Sequence, residues 1–346
     1  MVRTKRVTIS DVAKVAGVSK QTVSRVINDR PDVSEPTRQL VRDAIAKLGY
    51  HPDPIARSMR GITQTIGCIV PDLTTYPVAQ LIQAAQIELR KSHFSLLIEC
   101  TPQNSDIRMV VDSLLSRRVD GFLIINPGDL LDYSYVHPVI SQEVPIVYFG
   151  NIPPSKQLSS VTIDHQHGAY LATSYLLSLG HVSILLAMGE RHKEDTLQKQ
   201  AGFQQALLEV QQNIHSDLLF DGNGLSVLKY VSNQRSKKDD TGLTAVFAHS
   251  DEMALEIINA LRSENLQVPQ DISVIGYGDI PFITQFSPPL TSIQTPAEEC
   301  GRSCAQLLTE LISNPQKESK TIKIKPRLCL RESCLPKTMQ NQNPEV

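Results

Sequence analysis

VTISDVAKVAGVSKQTVSRVIN, residues 7–28, reads as two short helices joined by a tight turn. Thr8 can cap the first helix, and Asp11 three positions later completes a capping box. Val12, Ala13 and Ala16 form that helix's apolar stripe. Gly17 ends it in the left-handed conformation, where a residue without a Cβ costs least. Ser19 caps the second helix, and Val23 and Val26 pack back onto the first. Lys20, Gln21, Thr22, Ser24 and Arg25 are left facing outward. Each can bond a phosphate or a base edge, and none is acidic. The pattern predicts a helix-turn-helix with its recognition helix over residues 20–28, and hence a partner of double-stranded DNA.

Charge points the same way. The chain has 346 residues and a net charge of −2, but the average hides a split. Residues 1–60 carry 12 Lys/Arg against 6 Asp/Glu, whereas the remainder carries 22 against 30. A basic head on an acidic body places a nucleic-acid partner at the N-terminal end. No run approaches the roughly 18 apolar residues of a membrane span, and no signal peptide is recognised, so a cytoplasmic protein without membrane contact is expected. The six cysteines (68, 100, 300, 304, 329, 334) show no CxxC spacing and read as reduced core thiols. Cys300 and Cys304 share a helix face but have no His or Cys partner nearby, so no metal site is expected.

A third helix follows over about 35–48, with Ser34 as cap, Pro36 in its first turn and Gly49 after its end. Val33, Leu40, Val41, Ala44, Ile45 and Leu48 are the residues expected to close a small core. Residues 1–50 thus form an all-α head. In YHPDPIARSMRG (50–61), Pro52 stops a helix and Asp53-Pro54 would start another over 54–60. About two turns of helix are marginal alone in water, so 51–63 reads as a hinge that becomes helical on a surface. From residue 64 apolar strand runs and amphipathic helices alternate, the mark of parallel sheets covered on both faces. Two α/β lobes are expected, one over 64–162 and 292–322, the other over 163–291 and 323–335, closing on a cleft. The polar tail 336–346 is expected to be disordered.

Beyond the opening run, LGYHPDPIARSMR, the IVPD strand end, LGH (179–181), AGF (201–203), SDEMAL (250–255), DISVIGYGD (271–279), PPLTSI (288–293) and RESC (331–334) follow in order. Together they resemble the lac/gal-type (LacI/GalR) bacterial repressors across residues 7–334. The resemblance implies a helix-turn-helix head on a two-lobed, periplasmic-binding-protein-like body with Rossmann-like parallel sheets. It also implies an operator-binding homodimer modulated by an effector in the cleft. The tail PKTMQNQNPEV lacks the leucine heptads of the tetrameric member, which favours a dimer.

By that resemblance Lys20, Gln21 and Arg25 lie where family members read bases. Lys and Arg donate to guanine O6 and N7, and Gln pairs with adenine. Thr8, Ser19, Thr22, Ser24 and Asn28 suit phosphate clamping. Arg38, Arg42 and Lys47 read as solvated residues adding long-range attraction only. In the family the hinge helices of two subunits enter the minor groove and wedge a leucine into a base step. Met59 holds that wedge position here, with Ala56 small enough for helix approach and Arg57 and Arg60 facing phosphates. Asp53 replaces the usual Asn.

The cleft departs further from the family. Lys199 replaces an arginine, Ser250 an asparagine and Gly278 an aspartate, while Asp279 matches. Gly222 and Gly150 stand where an aromatic and an acidic residue are usual. Lysine's point charge cannot reproduce arginine's planar fork. The cleft set is therefore Tyr76, Asn126, Phe149, Lys199, Ser250 and Asp279. It implies an effector that differs from a simple monosaccharide, whether another carbohydrate-related small molecule or a protein corepressor, or else a weakened response. Asp164, His165 and His167 read as a helix cap at the lobe crossing rather than a metal site. No Ser/His/Asp elbow, P-loop or GxGxxG appears, so neither catalysis nor a cofactor is expected. A solute-binding protein is the alternative class, and the basic head weighs against it.

Overall fold

The computed structural model describes residues 7–27, 30–50, 63–101, 107–125, 139, 143–151, 158–189, 193–210, 219–221, 226–227, 229–230 and 242–340. The chain divides into two compact units, residues 1–64 and 65–346.

The head holds three helices: α1 (Ile9–Ala16), α2 (Lys20–Ile27) and α3 (Glu35–Leu48). The Asp11 carboxylate receives both the backbone N–H of Thr8 at 2.9 Å and its hydroxyl at 2.7 Å. Gly17 leaves α1 at φ 67°, as the sequence required. Ser19 Oγ accepts the N–H of Thr22 at 3.0 Å and so caps α2. Val12, Val23 and Val41 are fully buried, with Ala13, Val26, Ala44 and Tyr50 around them. Fully burying each valine contributes roughly 1.5–3 kcal/mol, so a few residues carry most of this small core. Leu40, expected in the core, is 56% exposed. It lies about 100° around α3 from Val41, off the buried stripe. Arg38, three residues before Val41, takes the inward position instead and is 8% exposed.

The body contains β1 (Thr65–Val70), α4 (Tyr76–Lys91), β2 (Ser95–Cys100), α5 (Ile107–Ser116), β3 (Gly121–Ile125), β4 (Ile146–Phe149) and β5 (Ser159–Ile163). Next come α6 (His165–Ser178), β6 (Ile184–Met188), α7 (Glu194–Glu209), β7 (Leu219–Asp221), β8 (Ala245–Ala248), α8 (Asp251–Ser263) and β9 (Ser273–Gly278). Then follow β10 (Thr291–Gln294), α9 (Ala297–Ser313), β11 (Thr321–Ile324) and β12 (Arg327–Cys329). They build two six-stranded sheets, β2-β1-β3-β4-β5-β11 and β7-β6-β8-β9-β10-β12. Every pairing is parallel except β12 on β10. The two orders are the same doubly wound pattern used twice.

Strand residues alternate between two apolar layers. In β3, Leu123 and Ile125 enter one layer while Phe122 and Ile124 enter the other. In β6, Leu185 and Ala187 oppose Ile184, Leu186 and Met188. Burial on both faces explains why these strands read as unbroken apolar runs. The helices over each sheet meet closely. A Cβ at Gly202 of α7 would lie 2.0 Å from the Gln166 carbonyl of α6, and one at Gly301 of α9 would lie 2.1 Å from the Leu81 carbonyl of α4. Only glycine permits either approach.

The chain crosses between lobes after β5, after β10 and after β11. β10 stays paired with β9 through Gln294, and β11 with β5 through Ile324. The later two crossings therefore fall at 295–296 and 325–326, a few residues beyond the expected 291/292 and 322/323. Each ladder runs on until a proline, Pro296 or Pro326, removes the N–H.

The expected disorder of the tail fails for its first part. Lys337–Met339 form a 3₁₀ turn, and Lys337 N–H donates to the Leu179 carbonyl at 2.9 Å. Gln340 is buried, its amide nitrogen 3.1–3.2 Å from the Thr244 and Pro269 carbonyls and Ser273 Oγ. A polar side chain is fixed here because it satisfies buried acceptors. Residues 341–346 lie outside the described residues.

Candidate DNA-reading face and ligand cleft

On α2 the side chains of Lys20, Gln21 and Arg25 are exposed, Thr22 and Ser24 are half-buried, and Val23 and Val26 point into the core. The first turn of α2 carries no acidic residue. Helical periodicity alone produces this separation of a polar face from an apolar underside. The hydroxyls assigned to phosphate already hold helix starts. Thr8 donates to Asp11, and Ser19 Oγ lies 2.9 Å from Thr22 Oγ1. Asn28 lies outside the described residues, as do the hinge residues Ala56, Arg57, Met59 and Arg60 with Asp53.

Two head residues behave differently from their sequence reading. Arg38 is no solvated surface charge. Its Nε donates to the Val33 carbonyl at 3.1 Å, and its Nη2 donates to the Arg30 carbonyl. Asp32, which carried no assigned role, lies 3.2 Å from Arg25 Nη1. Neither partnership could be read from spacing, because both join α2 or α3 to the irregular loop between them. Arg42 is exposed, 3.7 Å from Glu35.

In doubly wound sheets ligands sit beyond the carboxyl ends of the strands, where the order reverses. Here the reversals lie between β1 and β3 and between β6 and β8. In the first lobe Tyr76 begins α4 just after β1. It is 40% exposed, and its hydroxyl accepts from Gln80 at 2.6 Å. Phe149 ends β4, half-buried against the core, and Asn126 lies outside the described residues.

In the second lobe the expected cleft residues are already engaged. Ser250 Oγ caps α8, accepting the N–H of Met253 at 3.2 Å. Asp279 receives Arg331 Nη2 at 2.6 Å and Gln294 Nε2 at 3.0 Å. Lys199 is 5% exposed. Its Nζ lies 3.2 Å from Asp195 Oδ2, 3.2 Å from the His249 carbonyl and 3.3 Å from His249 Nε2, and it sits 4.3 Å from the centre of the Tyr277 ring. Tyr277 Oη lies 2.9 Å from His165 Nδ1. A buried ammonium needs such partners, because desolvation otherwise disfavours its charge.

The titration of this cluster follows from its surroundings. Desolvation would raise the Asp195 carboxyl, but the hydrogen bond to His249 and the Lys199 charge outweigh it and hold Asp195 well below the usual carboxylate range. Burial draws Lys199 down while Asp195 opposes the shift. His165 keeps part of its surface, yet desolvation and the nearby Lys199 push its imidazole down to about 3. Burial also lowers His249 and raises the Tyr277 hydroxyl. Burial thus disfavours protonation of the two imidazoles and ionisation of the phenol that surround the Lys199–Asp195 pair. Asp195, His249, Tyr277 and His165 were not singled out as site residues from sequence. They come from four separate elements or loops, and no single window holds them.

The motifs of the second lobe also converge. Asp251 Oδ1 accepts from Ser292 at 2.5 Å and Oδ2 from the Ile280 N–H at 2.9 Å, while Ser292 Oγ accepts the Asp279 N–H at 3.2 Å. Arg331 adds a bond to the Leu290 carbonyl at 2.7 Å. Asp164 caps α6 through the His167 N–H at 3.1 Å and pairs with Lys323 at 3.0 Å. Among the described residues no His/Cys/Asp/Glu group is arranged to hold a metal ion, and no helix is long and apolar enough to cross a membrane.

Comparison with known proteins agrees with this architecture. Residues 8–53 match the bacterial regulatory proteins of the lacI family, and residues 173–334 match a periplasmic binding protein-like domain. The HTH-type transcriptional repressor PurR of Histophilus somni (strain 2336) is 35% identical over 329 residues, 94% of this chain and 98% of that protein. The lac repressor dimer bound to operator and the anti-inducer ONPF superposes with a TM-score of 0.80 at 27% identity, covering 96% of this chain and all of that one. A complex of the transcriptional regulator CelR with cellobiose gives 0.69 at 30% identity, over 95% and 100% of the two chains. With its helix-turn-helix head and two-lobed body, this chain belongs to the lacI family of bacterial regulatory proteins and is a DNA-binding transcriptional regulator.

Proposed function

We propose that this regulator represses by holding a pseudo-palindromic operator as a homodimer, each α2 reading one half-site through Lys20, Gln21 and Arg25. The observation that carries this reading is the exposed face of α2, cationic and amide-bearing, over a buried valine underside. Two heads on a two-fold axis match the symmetry of a palindrome. Ala56, Arg57, Met59 and Arg60 would then meet at the operator centre, with Met59 entering the minor groove. Thr8, Ser19, Thr22, Ser24 and Asn28 would lie against the flanking phosphates, the hydroxyls turning from their capping bonds as the backbone approaches.

The cleft would take a neutral, hydroxyl-bearing small molecule between Tyr76, Asn126 and Phe149 on one lobe and the Lys199, Ser250 and Asp279 side of the other. The internal pairing of Lys199 with Asp195 and of Asp279 with Arg331 supports a neutral ligand. Structures similar to this one hold cellobiose or the anti-inducer ONPF. Effector and operator would be linked by a coupling of about 1–3 kcal/mol, set by the difference in effector affinity between two lobe arrangements.

Selection from random-sequence DNA with the full chain tests the DNA reading: a two-fold symmetric site should be enriched, and an unenriched pool refutes it. A thermal-shift screen of neutral oligosaccharides against sugar phosphates tests the effector reading. Stabilisation by neutral sugars is expected, and stabilisation by the phosphates alone contradicts it.

A further inference from the structure

We infer that Asp32 is a positioning residue for the base-reading Arg25, and that the pair makes the head selective as well as attractive. This rests on the assignment of Arg25 to base reading. Asp32 sits in the loop between α2 and α3, and its Oδ2 lies 3.2 Å from Arg25 Nη1. Both side chains are half-exposed, and an exposed ion pair on a mobile loop would mean little. This loop, however, is pinned on both sides of Asp32. Arg30 N–H donates to the Arg25 carbonyl at 3.0 Å, tying the loop's start to the end of α2. The Arg30 and Val33 carbonyls accept from the buried guanidinium of Arg38. Arg38 N–H donates to the Ser34 carbonyl at 3.0 Å, so that guanidinium is anchored in the first turn of α3. The carboxylate is therefore presented from a fixed backbone.

Two consequences follow from the chemistry of the guanidinium. Arginine has five N–H donors in a rigid fork, and Asp32 engages one terminal nitrogen. Among the described residues Asp32 is the one acidic partner of this fork, which leaves the other edge to the O6 and N7 atoms of guanine with the plane of the fork set. The carboxylate also opposes the approach of Arg25 to a phosphate, because two anions would then share one cation. Contacts to phosphate dominate binding to non-cognate DNA, whereas contacts to base edges carry sequence information. Asp32 thus weakens non-cognate binding more than operator binding.

The test uses the full chain and the palindrome it selects from random DNA, together with that palindrome changed at single base pairs and a scrambled duplex. Asp32→Asn keeps the size of an exposed side chain, and circular dichroism and thermal unfolding confirm that the head remains folded. The expected result is tighter binding to the scrambled duplex, and about a tenfold loss of discrimination at one guanine of each half-site. Arg25→Ala should lose discrimination at the same base pair, and Arg25→Ala with Asp32→Asn should lose no more than Arg25→Ala alone. Asp32→Glu should restore part of the discrimination. Unchanged discrimination in Asp32→Asn, or additive losses in the double variant, overturns the positioning role. If Arg25→Ala itself leaves every base preference intact, the base-reading assignment fails first and takes the inference with it.

Discussion

The outer face of α2 and the inner wall of the second lobe carry similar residues to opposite ends. On α2, Lys20 and Gln21 stand exposed, and Arg25 gives only part of its guanidinium to Asp32. In the lobe, Lys199 is enclosed by Asp195, His249 and Tyr277, and Asp279 is locked to Arg331. A lysine on α2 costs the fold nothing to keep ready for a ligand. The buried Lys199 instead costs the lobe stability unless it is partnered. Lys199, Ser250 and Asp279, polar residues of family motifs, thus belong to the scaffold that shapes the lobe as well as to its expected contact surface.

The largest effect that would break this comparison lies in the lobe. Asp195→Leu leaves the buried Lys199 ammonium without its carboxylate and should cost about 2–4 kcal/mol of body stability, the lower end allowing for the partial exposure of Asp195. Adding Lys199→Met should recover most of that loss. Urea unfolding measures both, and an Asp195→Leu variant of unchanged stability removes the ion pair from the account.

Next come the head substitutions. Arg25→Ala and Lys20→Ala should each cost about 1–3 kcal/mol of operator discrimination while leaving the unfolding midpoint of the full chain in place, because neither side chain is buried. A shifted midpoint without a change in DNA binding would reverse the proposed contrast.

Acid separates the two regions by a different route. The imidazole of His165 is lowered from 6.5 to about 3, and burial also lowers His181 and His249. Above pH 6.5 these histidines are neutral in both folded and unfolded chains. As the pH falls toward 3 the unfolded chain takes up protons that the folded body refuses, so body stability declines across that window. Residues 1–50 contain no histidine, so the head lacks this source of acid sensitivity. Calorimetry of the full chain at several pH values should show the body transition moving down first, and His165→Asn should flatten part of that fall.

The smallest effects sharpen the contrast between capping and contact. Ser19→Ala and Ser250→Ala should each cost about 1 kcal/mol, since both serines cap a helix. The head variant should also lose operator affinity. If Ser250 also touches the effector, the lobe variant should need more ligand for the same thermal stabilisation, and an unchanged ligand requirement leaves Ser250 as a cap alone.

Much of the head was legible because its signals are local. Thr8 with Asp11, Gly17 and Ser19 are helix-end devices that act within four residues, and the valine stripe repeats at helical spacing. The strand and helix alternation of the body was legible for the same reason. What escaped depends on distance along the chain. Leu40 is apolar, but its angle around α3 takes it off the buried stripe. Arg38 is buried against backbone carbonyls of a loop, partners that no spacing along α3 announces. The Lys199 cluster draws on residues 165, 195, 199, 249 and 277, brought together only by the parallel crossovers of the second sheet. The ordered start of the tail depends on His181, whose Nε2 lies 2.9 Å from the Leu335 carbonyl, and on the acceptors met by Gln340.

The exposed face of α2 as the reader of sequence is the claim on which the rest depends. Parallel selections from random-sequence DNA with the intact chain and with Arg25→Ala test it most directly. The intact chain should enrich a two-fold symmetric site with a fixed guanine in each half, and the variant should enrich a site relaxed at that position. An identical site from both proteins, or no symmetric site from the intact chain, contradicts it.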